Sequence, residues 1–326
     1  MAKQAVLLLA HGTPETVEQI PEYLRNVVSG RPIPAHVVEE IQHRYSLIGR
    51  SPLTEITLEQ GRLAGIELAQ AQVAAPGDEI PVYVGMRNWR PYIPDVVRQM
   101  RAHGIEEAAV ICMAPQNSRT SVGLYRRAVQ AEAGSLRIDF TEGWAAHPLL
   151  IQAFAERLRP ALGRLVNETG SPVPVLFTAH SVPCRTIQTP AASEGQPRLW
   201  PGEGADPYAQ EAKRTAELVA AHVPDIPKWW FAFQSQGASG GPWIGPTVEE
   251  TLDSIAGEGI KTVVLQPIGF LCDHVEILYD VDIAFREYAA KLGIRLERPE
   301  SLNGSPTLAK AVADLATNGL ARLDAA

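Results

Sequence analysis

An apolar run enters an Ala-His turn twice in this chain: residues 6–14 read VLLLAHGTP and residues 175–183 read VLFTAHSVP. The two histidines, His11 and His180, lie 169 positions apart in a chain of 326 residues. Imidazole, with an ordinary pKa of about 6.5, can hold a metal or move a proton near neutral pH. A third cluster, Cys272-Asp273-His274-Val275-Glu276, follows the run VVLQPIGF and opens the helical pattern DHVEILYDVDIAFREYAA. At α-helical spacing Asp273, Glu276, Asp280 and Glu287 fall at offsets 0, 3, 7 and 14, on one face. Carboxylates leading to a histidine are what a hydrated divalent cation needs to enter, shed water and pass inward. Plainer readings stand beside this one: Asp273 as a helix cap, Asp280 and Glu287 as a solvated face, His180 as a partner for backbone groups of its own turn.

Such residues act together only if the chain brings them to one place. Short apolar runs alternate with helical patterns, the signature of βα units and a mostly parallel sheet. The strand candidates are 5–10, 80–85, 108–114, 173–179, 229–234, 261–266 and 294–298. Their carboxyl ends deliver His11, Arg87-Asn88, Gln116-Asn117-Ser118, His180-Ser181, Ser235-Gln236 and the Asp273–Glu276 cluster. In parallel sheets such ends open on a crevice where ligands bind. Segments 20–30 and 36–49 read as helices, the first closed by Gly30. Ile93, Val96, Val97 and Met100 mark a helix ending before Gly104, and Leu150 to Leu162 mark one that Pro160 should interrupt. The repeated strand and turn predicts a duplicated α/β domain pair, 1–150 and 151–326, with a histidine on each side of one cleft. The last helix, 307–323, can return to the first half. Residues 185–207, rich in Pro, Gly and Ser, read as a long loop beside the site.

Composition narrows the chemistry. A net charge of −8 argues against nucleic acid, which needs a basic face. No apolar run nears the roughly 20 residues of a membrane span, and the opening MAKQAVLLLA reads as a first strand, so a cytoplasmic protein is expected. Three scattered cysteines, Cys112, Cys184 and Cys272, suit neither a disulfide framework nor the thiolates an iron–sulfur cluster usually needs. No G-x-G-x-x-G follows a strand, and no P-loop or H-E-x-x-H occurs. Arg25, Arg31, Arg44 and Arg50 crowd the first helices and could pair with substrate carboxylates. Trp89, Tyr125, Trp200 and Trp243 could wall a flat apolar ligand, although each alone is more often core.

From about residue 5 to about residue 300 the chain resembles the ferrochelatases. The resemblance is carried by LLLAHGTP, HRYSLIGRSPL at 43–53, LFTAHSVP, QSQ…GPWIGPTVEETL at 234–252 and PIGFLCDHVEILYDVD at 267–282. It implies two similar Rossmann-like domains, each a parallel sheet flanked by helices, with the active-site cleft between them. It also implies a lyase-type chelatase of haem biosynthesis whose partners are a porphyrin and, as substrate, ferrous iron. No tightly bound cofactor and no iron–sulfur cluster are expected, and a monomer is. The family's metal-binding histidine falls on His180 and its catalytic glutamate on Glu276, with His274 alongside and Asp280 behind as metal-path residues. Whether His180 holds iron or accepts a pyrrole proton stays open.

EILYDVD is more like the soluble branch that uses coproporphyrin III than the one that uses protoporphyrin IX. In that branch a tyrosine, axial partner of the product iron, often sits where His11 stands. Its other porphyrin contacts fall on Arg44, Tyr45, Ser51 and Tyr125, while an arginine falls on Val28 and an outer carboxylate on Ala284. Two other readings are a cobalt or nickel chelatase of a reduced tetrapyrrole and a haem or iron carrier without turnover.

Overall fold

Strands buried on both faces read as continuous apolar runs, and Leu7, Leu8 and Leu9 are wholly buried. The computed structural model describes residues 2–71, 79–187, 206–236 and 241–325. The chain divides into two compact units, Met1–Trp144 with Asn303–Ala326, and Ala145–Leu302.

The first unit runs β1 (Gln4–Ala10), α1 (Ile20–Val27), α2 (Ala35–Ile48), α3 (Leu53–Gln70), β2 (Val82–Met86), α4 (Ile93–Ala102), β3 (Glu107–Cys112), α5 (Val122–Ala133) and β4 (Arg137–Thr141). The second runs α6 (Pro148–Thr169), β5 (Val175–His180), α7 (Cys184–Ile187), α8 (Tyr208–His222), β6 (Trp229–Gln234), α9 (Val248–Gly257) and β7 (Thr262–Pro267). A π-helix (Glu276–Phe285), α10 (Arg286–Lys291) and β8 (Arg295–Glu297) complete it, and α11 (Pro306–Asp324) belongs to the first unit.

Each unit holds one four-stranded sheet, ordered β2-β1-β3-β4 and β6-β5-β7-β8. Every pairing is parallel. Shifted by four strands the orders coincide, so β1 with its His11 turn and β5 with His180 hold equivalent central positions. This is the doubly wound, Rossmann-like arrangement expected, built twice.

In the first unit Leu7, Leu9 and Val110 pack with Val97 and Met100 of α4 and Val129 of α5. Helices α3 and α11 contact each other, with α3 also on β2 and α11 on β3. Gly319 lets α11 approach closely, because a Cβ there would lie 3.0 Å from the Ala109 Cβ. In the second unit Leu176 and Leu265 pack with Val248 and Leu252 of α9 and with Ile277, Val281 and Phe285 of the π-helix. Helices α6 and α8 contact each other, and touch β7 and β6 respectively.

Two elements differ from the sequence expectation. The strand β4, RIDFT, lacks a continuous apolar run because it is a sheet edge with no fully buried residue. Helix α6 continues through Pro160, held by its buried face of Leu150, Phe154, Leu158, Leu162 and Leu165. The last helix, which the sequence left able to return to the first half, packs on α3 and β3 and groups with the first unit. Among the described residues no helix is long and apolar enough to cross a membrane.

Candidate functional site

The carboxyl edge of the second sheet gathers the titratable groups. His180 ends β5 in register with Gln234 at the end of β6. Beyond the end of β7 the chain passes through Phe270 to the Asp273–Glu276 cluster and into the π-helix. There the Glu276 carboxylate lies between two imidazoles. Its Oε1 is 3.1 Å from His180 Nε2, and its Oε2 is 3.1 Å from His274 Nε2. The second nitrogen of each ring meets a backbone carbonyl: Ser181 for His180, and Cys272 at 3.0 Å for His274. Phe270 packs against both rings, with centroids 6.2 Å from His180 and 4.5 Å from His274. His274 is buried, whereas the His180 and Glu276 side chains keep 31% and 33% exposure, enough to meet a ligand.

Hydrogen-bond logic sets the charge. A carbonyl only accepts, so His180 Nδ1 carries a proton, and Nε2 needs one to bond a carboxylate. Burial opposes the resulting imidazolium. The Glu276 charge and hydrogen bond, the Ser181 carbonyl and Asp280 outweigh it, and the His180 pKa lies above its ordinary value. Burial likewise works to raise the Glu276 pKa, but His180 and His274 hold it well below the usual carboxylate range. Both directions favour the ionised pair.

Further polar groups support this pair. Thr178 Oγ1 donates to Gln234 Oε1 at 2.6 Å, and Gln234 Nε2 donates to the Glu276 carbonyl at 3.3 Å. Ser235 Oγ donates to Asp280, from a backbone at φ 62°, a conformation that costs a non-glycine residue energy. Tyr208 donates its hydroxyl to the His180 carbonyl at 2.8 Å. Sequence reasoning named Ser235 as a strand-end residue but missed Thr178, Gln234, Phe270 and Tyr208. For Tyr208 no local signal exists, since it reaches back 28 residues.

The carboxylate row of the sequence expectation takes a different form. In a π-helix hydrogen bonds run i to i+5 rather than i to i+4, so α-helical offsets do not describe the face. Glu276 and Asp280 turn to the His180 edge, Asp273 is paired with Arg298, and Glu287 is exposed on α10. Among the described residues no group of three or more His, Cys, Asp and Glu side chains is gathered so as to hold a metal ion.

The first unit carries its own polar edge. His11 Nε2 is 2.8 Å from the Tyr23 hydroxyl, and Asn88 Nδ2 lies 3.1 Å from the same nitrogen. Arg44 pairs with Glu40 at 2.5 Å. Tyr45 is wholly buried, and Ser51 and Tyr125 are buried as well. Among the described residues the buried Ser51 hydroxyl meets no hydrogen-bond partner. Trp89 is core and Trp243 is partly buried, while Trp200 and most of the loop 185–207 lie outside the described residues.

Known proteins share this chain's sequence and fold. The Ferrochelatase family model matches residues 3–320. A ferrochelatase of Acidobacterium capsulatum is 61% identical over 324 residues, 99% of this chain and 96% of that protein. A coproporphyrin III ferrochelatase of Mycolicibacterium vanbaalenii is 34% identical over 322 residues, 97% of this chain and 89% of the other. Among solved structures, the sirohydrochlorin chelatase SirB from Bacillus subtilis subspecies spizizenii, in complex with cobalt, aligns with TM-score 0.54 at 12% identity over 98% of each chain. That likeness speaks to the fold of two parallel-sheet units.

Proposed function

This chain belongs to the ferrochelatase family, and on that premise we propose coproporphyrin III as its porphyrin and His180 with Glu276 as its working residues. A ferrochelatase is a metal chelatase whose substrates are a porphyrin and ferrous iron. The reaction exchanges two pyrrole protons for one ferrous ion, so the site must partly strip the metal of water and take up protons. The observation that carries the assignment is the Glu276 carboxylate held between His180 and His274 at the edge of the second sheet.

Glu276 contacts the metal, with Asp280 behind it. An approaching ferrous ion competes with the His180 imidazolium for the carboxylate and favours loss of the Nε2 proton. Neutral His180, its Nδ1–H kept on the Ser181 carbonyl, then takes one pyrrole proton on Nε2 and releases it to solvent before taking the second. One nitrogen cannot hold metal and proton together, which divides the tasks between the two residues. The Arg44 guanidinium and the Ser51 hydroxyl suit propionate groups, and His11 suits the product iron.

For the porphyrin itself, support comes from the EILYDVD segment and from relatives 31–34% identical that are named coproporphyrin III ferrochelatases. The deciding experiment is an anaerobic assay following loss of free-porphyrin fluorescence with ferrous iron, run on coproporphyrin III and protoporphyrin IX. Faster metallation of coproporphyrin III is expected. Preference for protoporphyrin IX overturns the porphyrin assignment, and no metallation of either overturns catalysis in favour of a carrier.

A further inference from the structure

A ten-residue π-helix needs an anchor, since such helices normally occur as single-turn bulges. The geometry at Arg298, just past β8, supplies one. Its Nε donates to Asp282 Oδ1 at 2.8 Å and its Nη2 to Asp282 Oδ2 at 2.6 Å, a two-point grip on a π-helix residue. Its Nη1 lies 3.2 Å from Asp273 Oδ1, immediately before His274. The same Nη1 donates to Ser301 Oγ at 3.1 Å, and Ser301 donates to Asp273 at 2.7 Å. The Arg298 side chain is only 11% exposed. One guanidinium therefore fastens both ends of the segment that contains His274, Glu276 and Asp280.

We propose that Arg298 is a positioning residue for metal delivery: by holding Asp273 and Asp282 at once, it keeps the π-helix in the register that aims Glu276 at His180. It touches neither metal nor porphyrin. It also occupies two carboxylates that would otherwise attract the cation, leaving Glu276 and Asp280 to receive it. The fork of Arg matters here, because a lysine ammonium keeps the charge but cannot grip a carboxylate at two fixed points. The proposal rests on the reading that Glu276 receives the metal beside His180, whose neutral Nε2 can also take zinc while no porphyrin is bound.

The test compares wild type, Arg298→Lys, Asp282→Asn and His180→Ala. Zinc binding is read by calorimetry, ferrous and porphyrin KM by anaerobic turnover, and folding by circular dichroism and thermal unfolding. Wild-type zinc binding should be weakened by His180→Ala. In folded Arg298→Lys, zinc affinity and kcat/KM for ferrous iron should both fall about 10–100-fold, the usual loss when a ligand's support is removed. The porphyrin KM should hold, and Asp282→Asn should behave alike. Unchanged zinc affinity in a folded variant overturns the proposal, as does an equal loss toward porphyrin and iron. So does zinc binding indifferent to His180, or a failure of both variants to fold, which would make the grip a folding determinant only. If wild type metallates no porphyrin, the ferrochelatase activity fails while the zinc comparison still judges Arg298.

Discussion

Glu276 Oε1 and His180 Nε2 stand 3.1 Å apart, close enough that each fixes the charge of the other. Neither residue can be changed without altering both. His180→Ala should abolish iron insertion while porphyrin, followed by fluorescence quenching, still binds. Glu276→Gln keeps the shape and removes the charge that meets the metal, so kcat/KM for ferrous iron should fall by at least about 10–100-fold, the loss seen when even a ligand's support is removed. Normal turnover in either variant removes that residue from the mechanism.

The same pair dictates a pH dependence with a definite sign. His180 has a raised pKa, so its contribution to stability is complete below its unfolded value of about 6.5 and is lost as pH rises through the folded value. Glu276 has a lowered pKa, so its contribution is present above about 4.3 and is lost as pH falls through the folded value. Stability from the pair is therefore greatest between the two unfolded values, about 4.3 and about 6.5, and declines outside them toward the folded values. Metal uptake, which requires the imidazolium proton to leave, should rise with pH through the elevated value. In Glu276→Gln the limb of kcat/KM for iron should move to lower pH. A limb that stays in place in this variant would detach it from His180.

Ser235 separates backbone strain from side-chain chemistry. Its φ of 62° suits glycine, while its hydroxyl serves Asp280. Ser235→Gly should relieve the backbone and lose the hydrogen bond; Ser235→Ala should lose the bond and keep the strain. Losing a hydrogen bond to a charged group costs both about 1.5–3 kcal/mol, but Ala alone keeps the strained backbone and should be the less stable of the two by urea unfolding. If the hydroxyl orients Asp280 for the metal, both variants should show a higher KM for ferrous iron. A normal KM in both confines Ser235 to the turn.

Much of this was legible in the sequence, for physical reasons that also mark where reading fails. Buried parallel strands such as Val263–Leu265 announce themselves by unbroken apolar runs, and the residues at their carboxyl ends named His180 and Glu276. Edge strand β4 is only partly buried and carries no such run. The carboxylate face was misplaced because spacing arguments assume an α-helix, and nothing in EILYDVD signals bonds from i to i+5. Thr178 and Gln234 read as strand residues. Their support of Glu276 exists only once β5 and β6 are paired.

Gly12 tests how far the first unit's edge matters for porphyrin. It follows His11 with φ of 76°, and an added Cβ would lie 2.7 Å from the Met86 Cβ and 3.1 Å from that of Trp89. A side chain there meets both an unfavourable backbone and a solid neighbour. Gly12→Ala should therefore cost more than the roughly 1 kcal/mol of backbone preference alone. The displacement falls on the segment carrying Arg87 and Asn88, whose amides bond the Ala10 and His11 carbonyls at 2.9 Å. His11, held by Asn88 and Tyr23, must shift with it. Porphyrin affinity, measured by fluorescence quenching, should weaken in the folded variant, whereas zinc binding at His180 in the second unit should not change. Equal loss of both, or of neither, would sever His11 and its turn from porphyrin binding.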